Sequence, residues 1–175
     1  MKQKMFFAGS GGQGTLAIGL MIAKAAMNEG REVTWLPSYG PEMRGGTANC
    51  TVVVSDKPIA CPLINEADVL VVMNLPSLLK FEPMVVPGGL LVVNSSLIHQ
   101  KPCRSDIRVL EVPANEQARA LGSDKAANII VLGAILQETG VVHPDTVREE
   151  MRHVFSGRKE KFLPMNLKAL DLYCH

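Results

Sequence analysis

The chain has no cysteine cluster. Its four cysteines, Cys50, Cys61, Cys103 and Cys174, are widely spaced and none stands in a C-x-x-C pair. That spacing argues against a zinc ribbon or an iron–sulfur cluster borne by this chain, and favours reduced thiols. Charge of one sign is also lacking. The 175 residues carry 18 Lys and Arg against 17 Asp and Glu, a formal net charge of +1. This balance gives no electrostatic reason to expect nucleic acid or an anionic membrane as partner, and no run of like charges forms a tail. Long hydrophobic runs are lacking as well. Residues 69–73 are among the longest, far short of the roughly 20 that cross a bilayer. The start, Met1-Lys-Gln-Lys, leads into a short apolar run and then glycines, not into the long apolar region and cleavage site of a secretory signal. A soluble, cytoplasmic protein is expected. The four histidines, His99, His143, His153 and His175, show no metal-ligand spacing such as H-E-x-x-H, and structural or solvated roles are expected for them.

What is present is a globular composition, with 47% hydrophobic and 20% charged residues. This is enough to bury a core in one domain without metal or disulfide staples. Residues 5–8 form an apolar run read as a buried strand, and a helix from about 12 to 29 closes at Gly30. A strand at 33–36 completes a right-handed, parallel βαβ unit. Further strands are expected at 47–55, 68–73, 90–93 and 108–112, with residues 59–61 as a short antiparallel partner. Helices are expected at 75–81, 115–121, 126–138 and 165–173. One more starts near His143, where Thr146 and Glu149 have capping-box spacing. The fold class is therefore α/β: one domain over residues 1–175, with a mostly parallel open sheet, helices on both faces and a Rossmann-like start.

Two loops carry candidate chemistry. Gly9, Ser10, Gly11, Gly12, Gln13 and Gly14 place G-x-G-x-x-G between a strand and a helix. Bare glycines let a phosphate reach the backbone, where free N–H groups and the helix dipole favour an anion. The alternative is that these glycines only let helix and strand pack closely. A nicotinamide dinucleotide needs an acidic residue at the end of the second strand, but that strand runs out into Leu36-Pro37-Ser38, and Glu32 lies at its start. The turn also holds no lysine for a Walker-type loop. The second loop follows the second strand, which in an open parallel sheet sets it at the carboxyl edge beside the first. It contains Ser38, Tyr39, Gly40, Glu42, Arg44 and Gly45. Arg44 suits a carboxylate or phosphate gripped bidentately; a solvated Glu–Arg surface pair is the plainer alternative.

The two loops together, Gly9-Ser-Gly-Gly-Gln-Gly14 and Ser38-Tyr-Gly-Pro-Glu-Met-Arg-Gly-Gly-Thr-Ala-Asn49, resemble the gamma subunit of 2-oxoacid:ferredoxin oxidoreductases. The run Asn128-Ile-Ile-Val-Leu-Gly-Ala134 is similar to a third patch of that family. The Glu-Met-Arg-Gly-Gly-Thr form looks most like the 2-oxoglutarate branch, while the indolepyruvate branch also uses a gamma-like chain. The resemblance implies one gamma-type domain that is inactive alone and works with alpha, beta and delta-type subunits. The complex would use coenzyme A as co-substrate and ferredoxin as acceptor. Thiamine diphosphate, magnesium and iron–sulfur clusters would sit on other subunits, in keeping with the lack of a Gly-Asp-Gly segment here. No cofactor is expected on this chain alone and no catalytic or metal-ligating residue. Both loops would line the coenzyme A rim. Competing readings are an independent NAD-type dinucleotide-binding oxidoreductase and a nucleotide-sensing module.

Overall fold

The computed structural model describes residues 1–38 and 47–174. Six strands form one sheet: β1 (Lys2–Ser10), β2 (Glu32–Ser38), β3 (Thr47–Ser55), β4 (Ala67–Val72), β5 (Val85–Asn94) and β6 (Arg108–Val112), in spatial order β2-β3-β1-β4-β5-β6. Helices are α1 (Thr15–Asn28), α2 (Leu75–Phe81), α3 (Ala114–Leu121), α4 (Ala127–Thr139), α5 (Pro144–Val154) and α6 (Leu163–Asp171). β1, β4, β5 and β6 pair in parallel, and β3 alone runs against its neighbours β1 and β2. The expected α/β class holds, with one refinement. β1, α1 and β2 do form a crossover between strands of the same direction, but β3 folds back from β2 and fills the space between them.

The sheet buries both faces. Met5 and Phe7 of β1 join Val52, Val71 and Val92 against α1, α3, α4, α5 and α6. Phe6 and Ala8 alternate to the other face, with Leu70 and Leu91, under α2. This is the period-two alternation of a strand with core on each side. Helix α4 is buried all round, from Ile129 to Leu136, which is why its apolar residues follow no single stripe.

Two local expectations are corrected. Residues 59–61 form no strand: Pro58 and Pro62 flank them and supply no N–H for a ladder. The capping of α5 lies upstream of Thr146. His143 is the N-cap, its Nδ1 accepting from the Asp145 N–H at 3.2 Å, with Pro144 in the first turn. The His143 N–H in turn donates to Glu29 at 2.6 Å, fixing α5 to the end of α1. No described helix is long and apolar enough to cross a membrane.

Candidate functional site at the carboxyl edge of the sheet

From β1 the chain leaves through α1 toward β2 on one side, and from β4 through α2 toward β5 on the other. The carboxyl ends of β1 and β4 therefore flank a topological switch point, where open α/β sheets leave a crevice. A cleft of about 280 Å3 lies there, lined by Gly12, Gln13 and Gly14 after β1, Met73 after β4, and Asn115, Asp124, Lys125, Ala127 and Asn128 opposite.

The glycine turn is held tightly. Gln13 folds back over it: its Oε1 accepts from the Ser10 N–H at 2.7 Å and its Nε2 donates to the Met73 carbonyl at 3.1 Å. One side chain thus ties the end of β1 to the end of β4. Gly9 lies beneath; a Cβ there would come within 2.7 Å of Gln13 Oε1. Gly14 is the N-cap of α1, with φ at 74° and no side-chain cap. Its carbonyl accepts from Ile18 N–H at 3.2 Å and from Asn128 Nδ2 at 3.4 Å. A Cβ at Gly14 would lie 2.3 Å from that Asn128 nitrogen. With no capping side chain and no acid in the first turn of α1, its leading N–H groups remain open to an anion.

On the opposite wall the first turn of α3 is instead capped and carries an acid, Glu116. Asn115, in the first turn of α3, accepts from buried Asn94 at 2.8 Å, and Ser96 Oγ accepts from Glu116 N–H at 3.1 Å. Asp124 and Lys125 precede α4. Asp124 pairs with Arg119 at 2.8 Å, whereas Lys125 enters no ion pair among the described residues. The open first turn of α1 and the Lys125 ammonium thus face one cleft, an arrangement suited to phosphate or carboxylate, whereas the Ala127 N–H at the start of α4 already donates to the Asp124 carbonyl.

Of the residues singled out in the sequence, the first loop forms this wall. Ser38 ends β2 opposite Asn49, and Thr47 pairs with Ser10. The anchors of the second loop therefore stand at the same sheet edge as the glycine turn; β2 lies two strand spacings, about 10 Å, from β1. Tyr39, Gly40, Glu42, Arg44 and Gly45 lie outside the described residues. Asn115 and Lys125 carried no motif in the sequence, and Asn128 sat in a quoted patch without a role. A polar residue opening an otherwise apolar helix was the available signal for Asn128.

Residues 4–172 match the pyruvate ferredoxin/flavodoxin oxidoreductase family. The chain belongs to this family. It is 42% identical, over 94% of its length, to ketoisovalerate oxidoreductase subunit VorA of Methanothermobacter thermautotrophicus, and spans 34% of that longer protein. It is 33% identical over 93% of its length to 2-oxoglutarate synthase subunit KorC of the same organism, covering 90% of it. Among solved structures, the gamma subunit of a keto/oxoacid ferredoxin oxidoreductase from Geobacter sulfurreducens superposes with a TM-score of 0.82 at 30% identity, over 97% of this chain and 95% of that one.

None of the four cysteines lines the cleft. Cys50 and Cys174 are buried. Burial pushes the Cys50 thiol up to about 12, with the Trp35 indole acting weakly the other way. Cys61 and Cys103 are exposed and free. Among the described residues, no group of three or more His, Cys, Asp or Glu side chains is placed to hold a metal ion.

Proposed function

We propose that this chain is the gamma component of a 2-oxoacid:ferredoxin oxidoreductase and that its carboxyl-edge cleft takes the phosphate groups of coenzyme A. The observation that carries the reading is the convergence of the uncapped start of α1 and Lys125 on one crevice at the switch point. Such a site supplies fixed N–H dipoles and one mobile cation, and contributes binding and orientation rather than bond-breaking. Thiamine diphosphate, bound by partner subunits, supplies the decarboxylation chemistry, and their iron–sulfur clusters carry the electrons to ferredoxin. This chain, inactive alone, positions coenzyme A so that its thiol end reaches a partner's reaction centre. Arg44, which lies outside the described residues, is included in the proposal for its chemistry alone, a guanidinium suited to an anionic group.

In the assembled complex, Lys125→Gln raises the KM for coenzyme A about tenfold, the worth of one charge-assisted hydrogen bond. The KM for the 2-oxoacid and kcat stay near their original values, since binding common to ground and transition states is what is lost. An Arg44→Ala complex behaves alike. Coenzyme A KM values unaltered in both variants contradict the reading.

Two substrate branches compete. The Glu42–Thr47 pattern favours 2-oxoglutarate, while the 42% identity to a ketoisovalerate chain, against 33% to a 2-oxoglutarate chain, favours a branched-chain 2-oxoacid. Comparing kcat/KM of the complex for both acids separates the branches.

A further inference from the structure

Asn94 closes β5 at the carboxyl edge of the sheet, opposite Val112 and just before α3 begins. It is 1% exposed, and its carboxamide is only half satisfied. Nδ2 donates to Asn115 Oδ1 at 2.8 Å, while Oδ1 is buried with no partner among the described residues. An unpaired buried acceptor is costly, and an apolar side chain of similar shape avoids that cost. Nor is the carboxamide needed to hold strand to helix. The Ser95 N–H donates to the Val112 carbonyl at 2.9 Å, and the Glu116 N–H donates to Ser96 Oγ at 3.1 Å. The Asn94 main-chain carbonyl accepts from the Leu97 and Ile98 N–H groups. What the side chain adds to these ties is a grip on one end of Asn115, a residue that lines the cleft.

We propose that Asn94 is a positioning residue of the cleft: it turns the Asn115 carboxamide so that the amide N–H2, and not the oxygen, faces the ligand. The inference rests on the anion reading given above and deepens it, naming the group that selects an anion. A free asparagine offers either end of its amide, a donor that attracts an anion or an acceptor that repels it. Here Asn115 Oδ1 is engaged inward by Asn94. Its Nδ2 makes no hydrogen bond among the described residues and stays open to solvent. The orientation matters because Asp124 lines the same wall. A second outward oxygen there sets two acceptors against Lys125, whereas an outward N–H2 adds a donor beside it. The low dielectric around Asn94 strengthens its one hydrogen bond and so holds that choice.

The test measures the KM for coenzyme A and the unfolding temperature of assembled complexes. Asn94→Leu removes the donor with little change of shape. The KM rises about threefold to tenfold as Asn115 loses its fixed orientation, while kcat holds at saturating coenzyme A. The unfolding temperature is level or higher, because the unpaired acceptor is gone. A merely structural tie gives the reverse, a lower unfolding temperature at unchanged KM, and that result overturns the proposal. Asn115→Ala raises the KM by a similar factor, and the double variant raises it no further, because Asn94 acts through Asn115. Factors that multiply in the double variant overturn it as well. Asn94→Ala gives a second route to the same KM readings where leucine disturbs folding. Lys125→Gln separates this proposal from the reading beneath it. If that variant raises the KM and no asparagine variant does, the pair has no positioning role and the anion cleft stands. If none of them moves the KM, the cleft reading fails and takes the pair's role with it.

Discussion

Gln13 shows how a side chain chosen for one reason in the sequence serves another in the fold. It sits inside the phosphate-type motif, yet its carboxamide is engaged by Ser10 N–H and the Met73 carbonyl. It shapes the turn that presents the backbone. The glycines were legible because absence of Cβ has few explanations; the partner at Gly14 was not, since Asn128 lies 114 positions away. Gly14 and Gly12 both have positive φ, but only Gly14 is crowded. Gly12→Ala is expected to cost about 1–2 kcal/mol for its backbone conformation alone. Gly14→Ala meets the same penalty plus the Asn128 clash, for about 2–4 kcal/mol in all. Thermal unfolding of the two variants checks the order, and equal losses contradict it. Cys50 makes a separate prediction. Burial raises its folded pKa from 9.0 to about 12, so the unfolded chain releases this proton first. Its contribution is intact below about pH 9 and is lost as pH rises from there toward 12. Urea midpoints of the native chain should therefore fall more between about pH 8 and about pH 10.5 than those of Cys50→Ala. Parallel falls refute the linkage.

At the level of elements, local pattern reported type well and neighbourhood poorly. The bounds expected for α2, β3 and β6 agree with those observed. Helix α1 begins at Thr15 instead of near Gly12, because the turn needs the left-handed conformation at both Gly12 and Gly14 before helical dihedrals can start. The direction of β3 could not be read. Val52, Val53 and Val54 are all fully buried, and a strand covered on both faces shows the same apolar run whether parallel or antiparallel. What decided it is the link of residues 39–46, short enough for a hairpin and too short for a helical crossover. The position of β3 matters to the site: it sets Thr47, which follows the second loop, opposite Ser10 at the sheet edge that carries the glycine turn. Central placement also predicts protection. Hydrogen exchange should be slowest in β1, β3 and β4, and faster in the edge strands β2 and β6. Exchange in β3 as fast as in β2 is incompatible with the strand order.

On the function proposed above, the whole molecule is one wall of a larger site. Its spans differ between relatives: nearly all of a separate 2-oxoglutarate synthase subunit, but 34% of a longer ketoisovalerate chain. The same fold thus occurs free-standing or as part of a longer polypeptide, in keeping with an active site assembled from several units. The family was legible from two loops and a helical patch. The cleft was only half legible, because its far wall is built from α3 and α4, whose polar residues Asn115 and Lys125 match no motif and become neighbours of the glycine turn only through folding.

The central claim is that the glycine turn and the start of α1 receive an anionic part of coenzyme A. The most direct measurement is calorimetric titration of the assembled complex with coenzyme A, Gly12→Ala against Gly12→Asp. Position 12 is exposed, has open space around it and a φ of 87°, a region aspartate tolerates better than most residues. The substitution adds a negative charge in front of the first turn of α1, at a backbone cost shared with Gly12→Ala. The account predicts that Kd rises about tenfold or more relative to a Gly12→Ala complex of similar unfolding temperature; a Kd equal to that of the Gly12→Ala complex contradicts it.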